Sequence, residues 1–485
     1  MYLGIDLGTS GIKVVLINRE QNIIATSKAS LEVQRRFPNW SEQNPSDWID
    51  ALESAIADLK KTNSNELKLV KGIGLSGQMH GATLIDKNDE VLRPCILWND
   101  TRSFKEAQEL DSIKEFRDIT GNIVFPGFTA PKLLWVKNNE PEIFEKVFKV
   151  LLPKDYLRLY ITGLYVSEMS DSAGTSWLDT KNRCWSETLL EKTSLSIEHM
   201  PKLVEGVDNS GFVKNDIAIK WGLSEKVIVA GGAGDNVATA IAAGTVKKGD
   251  SFVSLGTSGV LFSSVEEYLP NAQSAVHTFC HAFDNQWHQM GVILSATSCL
   301  EWFAKVNNIS VQDLSSELDE NLNAPGSAIF LPYLSGERTP HNDAKVKGSF
   351  VGLTHNCARK DLTQAILEGV SFALKDNLKA LEIAGGEVKR VTILGGGSNS
   401  KYWLELMATI LNVPVDIPKE SDFGAAFGAA RLGLIASENE DIFKICKAPQ
   451  IEKTIYPNKK FLKQFDEVYE KFKKLYPTVS SVLEE

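Results

Sequence analysis

Two glycine-rich turns with identical letters carry the groups best suited to binding phosphate. Leu7-Gly8-Thr9-Ser10-Gly11 recurs as Leu255-Gly256-Thr257-Ser258-Gly259 in the second half of the chain. Glycine lets backbone N–H groups come close to a phosphate, and small hydroxyls can donate to it without crowding. One such turn could equally be an ordinary β-hairpin, but its repetition favours two turns that clamp one chain of phosphates. The residues predicted to contact these phosphates are Gly8, Thr9, Ser10, Gly256, Thr257 and Ser258.

Asp6 and Lys13 flank the first turn. Asp6 ends an apolar strand, where a carboxylate is costly to bury unless it is paired or lies near a cation. Mg²⁺ usually takes one or two carboxylates, several waters and substrate phosphates. We therefore predict that Asp6 is catalytically important and lies near Mg²⁺, with a water between them; the alternative is a turn-capping aspartate. Lys13 is predicted to add positive charge at the phosphates, although a solvated strand lysine would look the same.

Asp235 is the candidate general base. It follows Gly231-Gly232-Ala233-Gly234 and precedes a helix-like segment that begins at Asn236. Four residues with little or no side chain leave room beside the carboxylate for an accepting hydroxyl. Phosphoryl transfer needs positioning, charge stabilisation and a group that takes the hydroxyl proton. The alternative is a helix N-cap, since aspartate is favoured at that position.

A third glycine cluster, Gly395-Gly396-Gly397-Ser398-Asn399-Ser400, ends an apolar strand. Glycines there would let an adenine ring or a ribose lie against the backbone, whereas a plain strand-to-helix turn is the alternative. The residues predicted to contact adenosine are Gly396, Gly397 and Ser400.

Two common nucleotide motifs are excluded. A Walker A loop requires Lys after its last glycine, but the nearest approach, Gly244 to Gly249, is followed by Asp250. A GxGxxG pattern occurs at 72–77, yet an apolar stretch rather than a helix follows it, so a Rossmann dinucleotide site is not expected.

The elements that hold these residues form two related halves. Each LGTSG turn lies between two apolar strand-like segments, which predicts a β-hairpin, and a third strand near Ile23 extends the first hairpin into an antiparallel meander. The segments 227–232 and 391–396 also look alike, because both are apolar strands that end in glycines. We place the domain boundary at 245/246, within a polar segment, 244–250, that could act as a hinge. The predicted domains are 1–245 and 246–485.

Composition limits the class of protein. The chain has 485 residues, 43% hydrophobic and 24% charged, which is typical of a soluble protein with more than one hydrophobic core. Its net charge of −10 argues against general nucleic-acid binding. The six cysteines form no CxxC pair, and no long apolar run or leader-like N-terminus is evident. We expect a cytoplasmic protein with reduced thiols and no membrane partner.

The whole chain resembles the FGGY family of carbohydrate kinases. The two phosphate turns are similar to the family's phosphate motifs, Gly127 to Trp135 resembles one family signature, and Gly348 to Leu353, continuing to Glu368, resembles the other. The resemblance implies an α/β protein of the actin-like ATPase (ribonuclease H-like) fold, with two duplicated domains around a catalytic cleft. It also implies ATP and Mg²⁺ as cofactors and a sugar as the partner substrate. A homodimer is expected by analogy alone.

Finer matches resemble the family members that phosphorylate D-xylulose to D-xylulose 5-phosphate in xylose catabolism. Gly77-Gln78-Met79-His80-Gly81 is similar to their sugar loop, where glycerol kinases carry an Arg-Glu pair. Segments at 98–100, 152–157, 170–175 and 334–341 agree with them as well. Ala233 departs from the pattern, which often has glycine there. By this resemblance, the residues that contact the sugar are Met79, His80, Trp98, Asp171, Asp235 and Asn236.

Two other functions stay open. A kinase for another ketose or polyol, such as L-ribulose or glycerol, would keep nearly all of these motifs. An actin-like or Hsp70-like ATPase without a sugar substrate would keep the segment from Asp6 to Gly11. Against the ATPase stand the Met79-His80 pair and the two family signatures.

Overall fold

The computed structural model describes residues 1–419 and 424–483, without the side chains of residues 398 and 399. The described residues divide into two compact units. The first unit contains Met1–Val246, Phe279–Trp287 and Asp422–Ala448, and the second contains Lys247–Thr278, His288–Ser421 and Pro449–Glu485. Two segments that the sequence-based division assigns to the second domain therefore group with the first unit. Within the described ranges, no helix combines the length and the apolar character needed to cross a membrane.

The elements follow one another along the chain as strands, helices and short 3₁₀ turns. The strands are β1 (Tyr2–Gly8), β2 (Gly11–Ile17), β3 (Ile23–Ser30), β4 (Glu42–Gln43), β5 (Gly72–Gly77), β6 (Thr83–Ile85), β7 (Cys95–Ile96), β8 (Lys149–Leu151), β9 (Val166–Glu168), β10 (Leu178–Asp179), β11 (Cys184–Trp185), β12 (Lys202–Val204), β13 (Asn209–Phe212), β14 (Ile228–Ala230), β15 (Ala233–Gly234), β16 (Ser251–Leu255), β17 (Gly259–Val265), β18 (His277–Cys280), β19 (Trp287–Ile293), β20 (Ile329–Leu331), β21 (Ser349–Val351), β22 (Val391–Leu394), β23 (Val415–Pro418) and β24 (Ile451–Ile455). The helices are α1 (Pro45–Leu67), α2 (Phe104–Asp111), α3 (Lys114–Thr120), α4 (Thr129–Asn139), α5 (Pro141–Phe144), α6 (Pro153–Thr162), α7 (Met169–Ser172), α8 (Glu187–Lys192), α9 (Asn215–Trp221), α10 (Asp235–Ala243), α11 (Thr297–Asn307), α12 (Val311–Ser316), α13 (Arg359–Ile383), α14 (Lys401–Leu411), α15 (Ala425–Glu438), α16 (Ile442–Ile445) and α17 (Leu462–Leu483). The 3₁₀ turns cover Ala173–Thr175, Ile197–His199, Ala272–Ser274 and Gly396–Asn399.

The first unit is built on a mixed sheet with the strand order β13-β14-β5-β1-β2-β3. Strands β1, β2 and β3 pair antiparallel in sequence order, which confirms the predicted hairpin and meander. Strand β5 runs parallel to β1, and β15 continues the pairing along β5. The GxGxxG segment is thus a buried strand in the middle of this sheet, an assignment that the sequence did not make.

Helix α15 packs on this sheet at positions where only glycine fits. A Cβ atom added to Gly4 would lie 1.8 Å from the Ala426 carbonyl oxygen, and one added to Gly74 would lie 1.7 Å from that of Ala429. The helix can therefore approach β1 and β5 along its backbone, because both faces lack side-chain bulk at these points. This contact explains why a segment far along the chain belongs to the first unit.

The second unit repeats the same core with a sheet in the order β18-β19-β17-β16-β22-β23-β24. Strands β16 and β17 form an antiparallel hairpin around the second LGTSG turn, with Leu255 opposite Gly259. Strand β22 runs parallel to β16, as β5 does to β1. The predicted hairpin is confirmed in this unit as well.

The proposed equivalence of segments 227–232 and 391–396 is wrong. Strand β14 pairs with β5 and is separated from β1 by that strand, whereas β22 pairs directly with β16. The counterpart of β22 is therefore β5. The two segments look alike because both are buried parallel strands, which are apolar throughout and end in glycines.

Candidate active site

Two aspartates lie at the carboxyl end of the central strands of the first sheet. Asp6 is next to Ser76 in the parallel pairing of β1 with β5. On the other side of β5, Ala233 is next to the same Ser76, and Gly234 then leads into Asp235 at the start of α10. The two carboxylates therefore come from strands that flank β5 and meet at its carboxyl end, where open α/β sheets bind their ligands.

Both carboxylates hold their protons more tightly than usual. Burial, reinforced by the negative charge of Asp6, raises the pKa of Asp235 to about 7, although Asn236 donates to Oδ1 from its backbone N (2.7 Å) and from Nδ2 (3.0 Å). Burial also raises the pKa of Asp6, and the Ser76 hydroxyl and Lys13 oppose that rise. The two carboxylates thus repel each other, and a cation between them and a phosphate would favour their ionised forms.

Asp235 is not the N-cap residue of α10, although its carboxylate accepts a backbone N–H in the first turn of that helix. Gly234 is the N-cap residue of α10, and Asp235 is the first residue of the helix. The carboxylate of Asp235 does accept the backbone N–H of Asn236. An asparagine could keep that contact, so capping alone does not require an acid here.

The first turn closes the hairpin of β1 and β2, with Gly8 opposite Gly11 and Asp6 opposite Lys13. Gly8 is half-buried, and Ser10 is exposed at the tip. The turn therefore lies directly beside the Asp6 carboxylate, and Lys13 is the cation across from it.

The Thr9 side chain connects this turn to the segment after β5. Trp98 Nε1 donates to Thr9 Oγ1 (2.9 Å), and that hydroxyl donates to Gln78 Oε1 (3.0 Å). Gln78 Nε2 donates to Gln43 Oε1 (3.0 Å), and Gln43 Nε2 returns to the Thr9 carbonyl (2.8 Å). Because the hydroxyl hydrogen of Thr9 is committed to Gln78, Thr9 has only its backbone N–H to offer a phosphate. Trp98 remains 45% exposed, so its ring is open to a ligand.

Met79 and His80 follow directly and lie beside the candidate base. A Cβ atom added to Gly234 would lie 2.9 Å from the Met79 sulfur, so the loop packs on the residue before Asp235. His80 Nδ1 lies 2.7 Å from the Gly174 carbonyl oxygen, and its ring stacks on Phe128 with centroids 4.5 Å apart. A carbonyl only accepts, so Nδ1 carries the hydrogen and Nε2 of the neutral ring is an acceptor. The ring can thus accept a hydrogen bond from a hydroxyl.

Asp171 lies beneath these groups. It is fully buried, with Oδ2 3.0 Å from Lys154 Nζ. Its neighbour Ser170 accepts the Gly234 N–H (3.1 Å), which ties this segment to the strand before the base. The carboxylates that share Lys154 with Asp171 are those of Asp155 and Glu168. Asp171 therefore supports the floor of the site and exposes no atom to a ligand in this structure.

In the second unit, the second LGTSG turn is held by its carbonyls. Gly256, Thr257 and Ser258 are exposed. The Gly256 carbonyl accepts the Thr297 N–H (3.0 Å), and the Thr257 carbonyl accepts the Ala296 N–H (2.8 Å). The turn is therefore anchored to the start of α11 while its side chains stay exposed, and inside the turn the Gly256 N–H donates to the Ser258 carbonyl (3.0 Å).

The predicted adenosine residues line a cavity of about 710 Å³ in the same unit. This is within the usual range for small-molecule sites. A Cβ atom added to Gly396 would meet nothing within 4 Å, so the backbone there borders open space, and Ser400 caps α14 by accepting the Trp403 N–H. The cavity is lined by Thr297, Leu300, Glu301, Val311, Gln312, Ser315, Ser316, Gly396, Gly397, Ser400 and Trp403.

Several of these residues could not be found by motif. Gln78 lay within the predicted sugar loop, but Gln43 had no signal, because a buried glutamine between β3 and α1 matches no pattern. Glu301 and Gln312 lie on ordinary amphipathic helices. Their part in the cavity follows only from how those helices pack.

Both halves of the chain match one family. Residues 1–242 match the N-terminal domain of the FGGY family of carbohydrate kinases, and residues 252–437 match its C-terminal domain. The chain is also similar to the xylulose kinase of Escherichia coli (strain K12), with 45% identity over 479 residues, which cover 98% of each protein. It is 47% identical over 442 residues to the xylulose kinase of Klebsiella pneumoniae, with 91% of each covered. The crystal structure of a "xyloylose kinase" from Brucella ovis superposes with a TM-score of 0.98, at 59% identity and 99% coverage of each chain.

Proposed function

Because the chain belongs to the FGGY family of carbohydrate kinases, we propose that it transfers the terminal phosphoryl group of ATP to D-xylulose, giving D-xylulose 5-phosphate. The chain has the two-domain α/β fold of sugar kinases and actin-like ATPases that the sequence predicted. The observation that carries the choice of sugar is the similarity, over nearly the full length of both proteins, to enzymes named xylulose kinase.

In this proposal Asp235 is the general base. A bond forms between the sugar hydroxyl oxygen and the γ-phosphorus, and the bond from that phosphorus to the β–γ bridging oxygen breaks, so that ADP leaves. The hydroxyl proton passes to the Asp235 carboxylate. A pKa near 7 suits this role, because the carboxylate is then substantially ionised at neutral pH and still basic enough to take a proton.

Asp6 fits a magnesium site. Its Oδ1 is buried and has no hydrogen-bond partner among the described residues, which is unfavourable for a carboxylate unless a cation or an ordered water meets it. We propose that Asp6 holds Mg²⁺, directly or through a water. When bound, Mg²⁺ neutralises charge on the phosphates. The residue's own contribution is to place a negative charge beside the first phosphate turn.

The sugar is proposed to lie against the loop that carries Met79 and His80, with Trp98 and Asn236 beside it. His80 Nε2 accepts from one sugar hydroxyl, the exposed Trp98 ring packs on the sugar, and Asn236 adjoins the base. The buried Asp171 belongs to this proposal only as support for the loop, because its side chain is fully covered.

The nucleotide is proposed to bind through backbone groups at both turns and in the cavity of the second unit. Glycine N–H groups supply donors to phosphate, and the open backbone at Gly396 suits a flat ring or a ribose. The proposed phosphate contacts are Gly8, Thr9, Ser10, Lys13, Gly256, Thr257 and Ser258. The proposed adenosine contacts are Gly396, Gly397 and Ser400.

An ADP-release assay over a panel of ketoses and polyols tests this function. We expect kcat/KM to be highest for D-xylulose. A higher value for L-ribulose or glycerol would show that the sugar is wrong and leave the kinase intact. ATP turnover that no sugar changes would favour the sugar-independent ATPase.

A further inference from the structure

The family signature at Gly127 to Trp135 has a physical task that its letters do not reveal: its helix holds His80 at three points. Phe128, the N-cap residue of α4, stacks on the imidazole with an interplanar angle of 18°. Thr129 Oγ1 donates to the His80 carbonyl (3.1 Å), and Lys132 Nζ donates to the same carbonyl (2.9 Å). Thr129 and Lys132 are three residues apart and so share one face of the helix.

Burial of the Lys132 side chain at this position is energetically unfavourable. The side chain is fully buried and pairs with no carboxylate of the described residues, and burial lowers its pKa to about 7. An ammonium without a counter-ion is strongly disfavoured in an apolar interior. Its second hydrogen bond goes to the Gly127 carbonyl (2.7 Å). What Lys132 provides is thus a pair of donors that tie two loops together.

The His80 backbone needs such support. His80 has φ of 69°, in the left-handed region that residues other than glycine adopt at a cost of about 1–2 kcal/mol. Its carbonyl receives both Thr129 and Lys132, so both acceptor sites of that oxygen are used. The Nδ1 contact to Gly174 then fixes the rotation of the ring. Thr129 and Lys132 of α4 therefore hold the His80 backbone, while Gly174 and the stacked Phe128 hold its ring.

Gly127, the other residue that Lys132 holds, lies against the Trp98 segment. A Cβ atom added to Gly127 would come within 2.3 Å of the Trp98 carbonyl oxygen. Lys132 thus joins the His80 loop to the segment that carries the exposed tryptophan ring.

We propose that Lys132 is a positioning residue for the sugar: through the carbonyls of His80 and Gly127 it sets where His80 Nε2 and the Trp98 ring meet the substrate. Lys132 itself does not touch the sugar. The inference rests on the proposed function insofar as the ligand of His80 is taken to be the sugar that is phosphorylated.

The test compares Lys132→Met with Lys137→Met, an exposed lysine on the same helix. Loss of both Lys132 hydrogen bonds, to the His80 and Gly127 carbonyls, predicts a rise of roughly 10- to 100-fold in the KM for the sugar. We expect the KM for ATP to be unchanged, because Lys132 touches no nucleotide element. Lys137→Met is expected to change neither constant.

Thr129→Val provides a milder second variant in case Lys132→Met does not fold. It removes the other donor to the His80 carbonyl and keeps the side-chain shape, so a rise of about 2- to 10-fold in the same KM is expected. A double-mutant cycle with His80→Ala adds a readout that a general structural defect would not give. If Lys132 acts through His80, Lys132→Met should have much less effect on the sugar KM in the His80→Ala background.

The failures of the two proposals differ. If the wild-type protein does not phosphorylate D-xylulose, the proposed sugar is wrong, and the variants are then measured with whichever sugar the wild type uses. The positioning role is overturned if both variants leave the KM for that sugar unchanged. It is also overturned if sugar and ATP constants rise together, or if the cycle with His80→Ala is fully additive.

Discussion

The turn at Leu7–Gly11 in the first unit and the turn at Leu255–Gly259 in the second have the same sequence. They use different atoms for their hydrogen bonds to the rest of the protein. In the first, the Thr9 hydroxyl bridges Trp98 and Gln78. In the second, Thr257 is exposed, and its carbonyl is bound to the start of α11. The identical peptide is thus joined by its side chain to the proposed sugar loop in one unit and anchored by its backbone in the other.

The residue before each turn sharpens the contrast. Asp6 precedes the first turn, and Ser254 occupies the matching sequence position before the second, although the cross-strand partner of Asp6 is Lys13 and that of Ser254 is Val260. The first unit also brings Asp235 to this edge of its sheet. The duplicated hairpin therefore provides a scaffold in both units, and in the first unit Asp6 and Asp235, which lie outside the repeat, supply the proposed acid–base chemistry.

We expect Asp235→Asn to lower kcat more than the other substitutions, because it removes the proposed general base from the first unit. The amide keeps nearly the same volume and the contact with Asn236, but it cannot take a proton. We expect kcat to fall by roughly 10²- to 10⁴-fold, with ATP affinity and melting temperature little changed. Steady-state kinetics and thermal unfolding measure both, and a kcat near that of the wild type would end the general-base role.

The pH dependence should reveal that two carboxylates share the first unit. Because burial and Asp6 raise the pKa of Asp235 to about 7, the base is lost as pH falls through that value. We expect kcat/KM for the sugar to drop about tenfold per pH unit below it. In Asp6→Asn without Mg²⁺ the neighbouring charge is gone, so the pKa of Asp235, followed by NMR titration of its carboxyl carbon, should lie below that of the wild type. A pKa that stays in place or rises would contradict this coupling.

Thr9→Val and Thr257→Val test the two turns directly. Thr9→Val removes the bridge between Trp98 and Gln78, and the loss of two neutral hydrogen bonds predicts a rise of about tenfold in the KM for the sugar. Thr257→Val should leave that constant unchanged, because the exposed Thr257 side chain makes no such bridge to any residue that the structure describes. Equal effects of the two substitutions on both substrates would mean that the turns are not functionally distinct.

The sequence was sufficient to predict those structural elements that depend on residues close together in the chain. The LGTSG hairpins and the meander follow from apolar strands that flank glycine turns, and the fold follows from motifs spread over the whole chain. The grouping of α15 with the first unit could not be predicted, because it depends on glycines of β1 and β5 that approach the helix backbone. The similarity of 227–232 to 391–396 led to a wrong equivalence between the two segments. Buried parallel strands are apolar wherever they lie in a sheet, so their sequences look alike.

For the site, residue types could be predicted but not the atoms that act. Thr9 was expected to offer its hydroxyl to phosphate, and that hydrogen is committed to Gln78. Asp171 was expected at the sugar and is fully buried beside Lys154. Both depend on contacts between segments distant in sequence. The hinge at 244–250, the homodimer and the cytoplasmic location stay predictions.

The smallest effect on activity is expected for a substitution of Ser254. Its comparison with Asp6 tests whether the position before the turn has the same role in both units. Ser254 is half-buried, and within the described part of the chain its hydroxyl forms no hydrogen bond, so Ser254→Ala removes no hydrogen bond and should change kcat and both KM values by less than about twofold. Asp6→Ala, at the matching position, removes a carboxylate beside the phosphate turn and should lower kcat strongly. The exchange Asp6→Ser with Ser254→Asp should not restore activity, because the transferred carboxylate would no longer lie next to Ser76 and the strand that leads into Asp235. If Ser254→Ala cost as much as Asp6→Ala, or if the exchange restored turnover, the position before the turn would have the same role in both units, and the division of chemistry between them would be wrong.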